Sequence, residues 1–232
     1  MISVIIPTHN RYNNLLNAIK SVKKQTYKDI EIIVVSDGSS DKRYEKDIEN
    51  VKMIRLNKSS KENLGYPCGA VPRNEGLKVS KGEYIAFLDD DDIWMPNKLE
   101  IQIDEMKKNN IKMSCTDGYI GNGYYDKNKK YKIYNKEHYW LALKKKFKLK
   151  DKFPNKFNLD FVKIHNPIIT SSICFKKELI NEIGYMKLIK NGGQIINGKK
   201  EWQDWDYWKR MLKYTECLYI DKPLVYYDLK KY

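Results

Sequence analysis

Four consecutive carboxylates, Asp89-Asp90-Asp91-Asp92, follow directly on the apolar run 84–88. Like charges at that density raise one another's pKa values, and a divalent cation relieves the repulsion. Carboxylate oxygens suit hard cations such as Mg2+ or Mn2+, which one or two protein carboxylates commonly hold together with substrate phosphates. Read alone, the cluster also fits an acidic loop that stabilises the N-terminus of a helix starting at Pro96. A second group, Val35-Ser36-Asp37-Gly38-Ser39, puts a carboxylate at a strand end. There it can accept hydrogen bonds from a nucleobase or ribose, or cap the turn. Arg73 and Asn74 open a helix, where a guanidinium can pair with a phosphate or with the acidic loop, or simply face solvent. Asp204 lies in Glu201-Trp202-Gln203-Asp204-Trp205-Asp206-Tyr207-Trp208. A carboxylate wrapped in aromatics has the setting for a raised pKa and base catalysis; the bland alternative is an N-cap over a core Trp stripe. His9, His138 and His165 show no ligand spacing, and none of the four cysteines forms a CxxC pair. A metal knuckle or redox dithiol is therefore unsupported, and buried, reduced thiols are expected.

The elements that must position these groups alternate in the first half. Apolar runs at 2–6, 30–35, 51–56 and 84–88 read as strands. Helices are expected around Leu15, Leu16, Ile19 and Val22, from Asp41, over 72–79 and from Pro96. Nearly all-apolar strands alternating with helices imply a parallel sheet covered on both faces, with ligands beyond the strand C-termini. Three polar loops, 7–11, 36–41 and 89–92, begin at such ends and converge if their strands are neighbours.

The second half reads differently. Residues 113–135 suggest irregular strands or a hairpin, 140–146 a helix, 166–175 a β-like run, and 178–183 a short helix stopped by Gly184. A Gly-rich loop spans 191–199. Residues 204–212 form a helix with Trp205, Trp208 and Leu212 on one face, and the tail gives two short strands broken at Pro223. Without a repeat or flexible linker, 1–112 and 113–232 are expected as two halves of one globule.

The chain has 232 residues, 41% of them hydrophobic, and 18 Tyr, which argues against disorder. The net charge of +14 comes from lysines spread along the sequence. A solvated Lys-rich face explains it, and an acidic loop where a nucleotide should bind argues against a nucleic-acid partner. The run 144–152 alternates lysines with Phe147 and Leu149, which leaves room for peripheral membrane contact. No stretch approaches the roughly 20 apolar residues of a spanning helix, and the first residues lack a signal pattern. A soluble, cytoplasmic protein is the expectation.

Taken together, the pieces resemble family 2 inverting glycosyltransferases. The resemblance rests on Val4-Ile5-Ile6-Pro7-Thr8-His9-Asn10-Arg11, Gln25-Thr26-Tyr27, the Val35-to-Ser39 turn, Arg73-Asn74-Glu75-Gly76, Gly82-Glu83-Tyr84-Ile85-Ala86-Phe87-Leu88-Asp89 and Trp94-Met95-Pro96, in that order. It covers the first 110 residues or so densely. Beyond them it rests on Gln203-Asp204 and Trp208-Lys209-Arg210. It implies a GT-A fold, a mostly parallel Rossmann-like sheet flanked by helices with a fused acceptor-binding half. It also implies Mn2+ or Mg2+, a nucleotide-sugar donor, a UDP-sugar first, and a glycan, lipid-linked or protein-linked acceptor. Carried over, Pro7, Thr8 and Asp37 hold nucleobase and ribose, with Asn10, Arg11 and Arg73 in the same donor site. Asp89 and Asp90 lie near ribose and donor sugar, Asp91 is the metal ligand of the DxD element, and Asp204 is the base. Three departures stand out: Ser36 replaces a usual Asp, Gln203 replaces a usual Glu, and no His accompanies Tyr226-Tyr227-Asp228. The implied reaction is one displacement at the anomeric carbon, with inversion. Two rivals remain open at this point. A sugar-phosphate nucleotidylyltransferase would want a Gly-rich phosphate loop after the first strand, and 7–11 has no glycine. A degenerate sugar- or nucleotide-binding module differs only in lacking turnover.

Overall fold

The computed structural model describes residues 1–135, 140–147, 153–190, 193–196 and 199–230. His138 and parts of the 144–152 and 191–199 runs lie outside the described residues. In chain order the elements are β1 (Ile2–Thr8), α1 (Tyr12–Lys23), β2 (Ile30–Ser36), β3 (Lys52–Arg55), α2 (Ser60–Leu64), α3 (Ala70–Val79), β4 (Tyr84–Phe87), β5 (Ile93–Trp94), α4 (Lys98–Asn109) and β6 (Met113–Gly121). They continue with β7 (Lys132–Ile133), α5 (Trp140–Phe147), β8 (Lys156–Phe157), α6 (Leu159–Ile164), β9 (Cys174–Lys176), α7 (Leu179–Ile183), β10 (Gln194–Ile196), β11 (Lys199–Glu201), α8 (Gln203–Met211) and β12 (Cys217–Asp228).

Most strands form one mixed sheet in the order β3-β2-β1-β4-β9-β6-β12-β5, with β7 on β6 and β8 on β12, while β10 and β11 pair in a separate two-stranded sheet. The longest pairings, β1 with β2 and β6 with β12, are parallel. The two-residue period of a strand explains the layers. Ile5, Ile33 and Val35 enter one core beside α3 and α8, while Val4, Ile6, Ile32 and Val34 enter the other beside α1 and α4. Burying such side chains contributes roughly 1.5–3 kcal/mol each, so the two-sided sheet carries much of the stability. α3 lies so close to β1 that a Cβ on Gly76 would sit 2.4 Å from Ile5 Cγ2.

Several sequence expectations change. Residues after Asp41 make only a 3-10 turn, Lys42–Glu45, capped by Asp41. Residues 166–175 are mostly non-strand: a 3-10 turn, Thr170–Ser172, precedes the short β9. The 113–135 region does pair back on itself, β6 with β7 antiparallel, but its first arm is a long strand buried over its first six residues. The tail is one strand with register shifts on both sides of Pro223, where a missing N–H interrupts the ladder. Strands from both sides of residue 112 join in the one sheet, β9 lying between β4 and β6. All four cysteines are free and buried. Among the described residues no helix is long and apolar enough to cross a membrane.

Candidate functional site

β2, β1 and β4 are adjacent, so the loops leaving their C-terminal ends meet, as the spacing of polar loops required. They open into a cleft of about 1040 Å³. Pro7, Thr8, Asn10 and Arg11 reach it from the β1 loop, and Asp37 from the end of β2. Arg73 comes from α3, Asp89, Asp90 and Asp91 from the β4 loop, and Asp204 from the start of α8. All the residues singled out from the sequence for donor, metal or base therefore line one cavity.

The β1 loop is tied down by its own side chains. Asn10 adopts φ +54°, a left-handed conformation that Asn tolerates better than most residues. Its Oδ1 accepts from Ser40 N at 2.9 Å and its N–H donates to Ser39 Oγ at 3.1 Å. Thr8 Oγ1 lies 2.7 Å from the Tyr44 hydroxyl, which accepts from Arg11 N at 3.0 Å. Asp37 is equally occupied: its two oxygens accept from Ser60 N at 2.7 Å and Ser60 Oγ at 2.6 Å. The carboxylate thus anchors the start of α2. Gly38 makes this possible, since a Cβ there would lie 2.3 Å from Ser59 N.

The four acidic residues divide by direction. Asp92 is fully buried, accepting from Asp228 N at 2.9 Å and from the Ser171 hydroxyl, and so brackets the loop to β12. Asp90 is also buried, with Arg11 Nη2 at 2.8 Å. Asp91 and Asp89 face the cleft, with side chains 17% and 28% exposed. Asp91 Oδ2 lies 2.6 Å from Arg11 Nη1, and Asp89 pairs with Arg73. Burial, only partly offset by Arg11, pushes Asp90 up to about 7 and Asp91 up to about 6. Burial raises Asp92 as well. Among the described residues no group of three or more His, Cys, Asp or Glu could hold a metal by protein ligands alone. The donor set fits the other mode: Asp91 and Asp89 offer oxygens at the cleft surface that a hard cation would share with substrate phosphates.

Asp204 lines the same cleft from the start of α8. Asn166 Nδ2 donates to its Oδ2 at 3.1 Å. Burial raises its pKa, while the positive charge of Arg73 opposes that shift. Arg73 therefore lies close to both Asp89 and Asp204. Its path requires Gly69, where a Cβ would lie 2.6 Å from Arg73 Nη1. Gln203 Oε1 accepts from Ala70 N at 2.8 Å, joining the N-termini of α8 and α3. Asp206 turns away into ion pairs with Lys187 at 2.9 Å and Arg210 at 2.8 Å. The buried face of α8 carries Tyr207, Trp208 and Met211; Trp205 is only partly buried, its Nε1 donating to Val162 O at 2.6 Å.

Asn166, Ser60, Ser171 and Tyr44 carry no site assignment in the sequence reading, whereas Trp202 lies within the aromatic run around Asp204. Asn166 had a weak signal, a polar residue beside Pro167 in an otherwise apolar run. The serines had none, because a hydroxyl's partner lies far away in the chain.

The family model described as glycosyl transferase family 2 matches residues 3–183. A UDP-Glc:alpha-D-GlcNAc-diphosphoundecaprenol beta-1,3-glucosyltransferase of Escherichia coli is 43% identical over 111 residues, 48% of this chain and 43% of that protein. A putative teichuronic acid biosynthesis glycosyltransferase of Bacillus subtilis is 36% identical over 127 residues, 52% of this chain and 46% of that protein. An uncharacterized glycosyltransferase of Rickettsia conorii is 45% identical over 115 residues, 50% of this chain and 18% of that protein. The chain thus spans less than half the length of these curated relatives. Among solved structures, S. aureus TarS 1-349 in complex with UDP-GlcNAc superposes with a TM-score of 0.66 at 21% identity, covering 100% of this chain and 58% of that one. The UDP complex of the same protein gives 0.64 at 20% identity, over 98% and 60%.

Proposed function

The chain belongs to glycosyl transferase family 2, and from that premise we propose that it moves a sugar from a UDP-sugar to an acceptor hydroxyl, with inversion at the anomeric carbon and with Mn2+ or Mg2+ as cofactor. One observation carries the reading: a single cleft holds both the acidic loop and Asp204, with Arg73 paired to Asp89 and close enough to Asp204 to act on its charge. The cleft volume of about 1040 Å³ has room for a nucleotide sugar and part of an acceptor. The UDP and UDP-GlcNAc complexes of the structural neighbour and the UDP-Glc donor of the E. coli relative support uridine as the base. That relative's lipid-diphosphate acceptor supports a lipid-linked acceptor here.

In this mechanism the β1 loop and the Asp37-anchored turn shape the nucleoside site. Arg73 holds Asp89 in place and adds positive charge near the reacting centre. A cation held by Asp91, with help from Asp89, would offset the charge that develops on the leaving diphosphate. Asp204, its carboxylate oriented by Asn166, accepts the proton of the acceptor hydroxyl. The acceptor oxygen bonds to the anomeric carbon as the bond to the diphosphate oxygen breaks, and UDP leaves with that electron pair. A single attack from the Asp204 side gives inversion.

Hydrolysis of a panel of UDP-, GDP- and ADP-sugars with Mn2+, and again with EDTA, tests the reading. We expect slow turnover of a UDP-sugar that EDTA abolishes. UDP binding without turnover of any donor would instead make the chain a sugar-nucleotide-binding module.

A further inference from the structure

The cleft lining also holds side chains that donor binding and base catalysis leave unused. We propose that Trp202, with Lys190 and Lys200, forms an acceptor subsite for a sugar ring that carries a phosphate or diphosphate. The inference rests on the glycosyltransferase reading and names the acceptor chemistry of the same site.

Trp202 sits in extended backbone, φ −115° and ψ 143°, at the N-cap of α8, two residues before Asp204. The residue is 39% exposed and lines the cleft. The other tryptophans of the motif do not line the cleft: Trp208 is fully buried and Trp205 donates to Val162 O. Among the described residues the indole N–H of Trp202 has no hydrogen-bond partner. An exposed indole beside the base offers an apolar face for the C–H side of a pyranose and a donor for one of its hydroxyls.

The charge around it has a sign. Lys200 Nζ lies 4.6 Å from the Trp202 ring centroid, within cation–π range. Lys190 lines the same cleft. It follows Ile189, whose carbonyl accepts from Cys68 Sγ at 3.5 Å, and that sulfur also lies 3.6 Å from Gln203 Oε1. The Lys190 segment is thereby held beside the start of α8. Among the described residues neither ammonium pairs with a carboxylate. The diphosphate of a donor is claimed by the acidic loop and its cation, so these two charges are left for an anion on the acceptor. Lysine binds phosphate as a point charge, which tolerates a flexible linkage.

The test titrates two probes into the chain saturated with UDP and Mn2+, by calorimetry. One is α-GlcNAc diphosphate bearing a short alkyl chain; the other is the neutral alkyl α-GlcNAc glycoside. We expect the diphosphate probe to bind about tenfold tighter than the neutral one. Trp202→Ala should weaken both by about tenfold, and Trp202→Phe, which keeps a ring, far less. The double variant Lys190→Gln, Lys200→Gln should weaken only the diphosphate probe. UDP affinity, measured on every variant, should stay level. The proposal is overturned if the wild-type chain binds UDP but neither probe, if Trp202→Ala leaves both probes unchanged, or if the lysine variant loses UDP instead. A wild-type chain that binds no UDP sinks the donor reading itself, and this subsite with it.

Discussion

Arg11 Nη1 lies 2.6 Å from Asp91 Oδ2 while its Nη2 lies 2.8 Å from Asp90 Oδ1, so one guanidinium spans two adjacent carboxylates. It gives the acidic loop the positive charge that a bound cation would otherwise bring. Asp90 is buried and neither of its oxygens accepts a regular hydrogen bond, so the loop depends on Arg11 for charge balance. Breaking a buried ion pair from one side costs about 3 kcal/mol. Arg11→Gln should therefore lower the melting temperature in EDTA by roughly 6–12 °C. Mn2+ should restore part of the loss. An unchanged melting temperature in EDTA would contradict this account of the loop.

Asp91 and Asp92 should separate by function. UDP is expected to raise the melting temperature only when Mn2+ or Mg2+ is present, because the acidic loop repels a bare diphosphate. Asp91→Asn should abolish that cation dependence with little change in the stability of the free chain. Asp92 accepts from Asp228 N and the Ser171 hydroxyl inside the core, so Asp92→Asn should chiefly destabilise the fold. Thermal shifts with UDP, each with Mn2+ or EDTA, check both; equal stabilisation in EDTA would remove the metal bridge from the account.

The raised carboxyl pKa values set a pH dependence. Asp90 at about 7 and Asp91 at about 6 keep protons in the folded chain that the unfolded chain has already lost. Stability is then greatest at the acid side and falls as pH rises through these values. Lys98, lowered to about 7 by burial, is protonated in both states near pH 5 and opposes the slope only as pH approaches 7. Between pH 5 and 7 in EDTA the melting temperature should fall by roughly 5 °C, and Mn2+ should flatten the slope. A melting temperature that rises over this window would show that the acidic loop is ionised throughout.

Asp37→Ala tests what its two hydrogen bonds to Ser60 are for. Losing them leaves Ser60 N buried without its acceptor, at a cost of about 1–3 kcal/mol. The start of α2 should loosen, and UDP affinity should fall as the turn that shapes the nucleoside site is lost. If urea unfolding is unchanged while UDP affinity drops, Asp37 contacts the nucleotide directly and the anchoring role is secondary.

The parts of the fold and site written locally were legible in the sequence, and the parts that depend on distant pairing were not. Strand β1, its polar loop and the acidic run each carry their signal within ten residues, because an apolar period and a sudden change to carboxylates need no partner to be seen. Neighbouring strands then bring the loops together. β9 failed as a longer strand because only Cys174 to Lys176 find pairing positions on β4 and β6. The tail failed as two strands because β6 offers a continuous parallel partner on both sides of Pro223. For the α8 stripe, Trp205 was expected in the core, yet the helix turns Tyr207 and Met211 inward and leaves Trp205 at the edge against Val162. The sequence points to Arg11 only as a candidate donor-site residue, and its pairing with Asp90 and Asp91 needed the fold.

The central claim is that Asp204 takes the acceptor proton, and its neighbour Asp206 supplies the control. Asp204 faces the cleft with Asn166 on one oxygen, whereas Asp206 is held by Lys187 and Arg210. The direct measurement is paired: UDP affinity and sugar-transfer rate for Asp204→Asn and Asp206→Asn with one UDP-sugar and Mn2+. We expect Asp204→Asn to bind UDP like the wild-type chain while transfer falls by about 10²-fold or more, the loss typical of a missing general base. Asp206→Asn should transfer within severalfold of the wild-type rate while melting earlier. Near-normal transfer by Asp204→Asn, or loss of transfer confined to Asp206→Asn, would contradict the account.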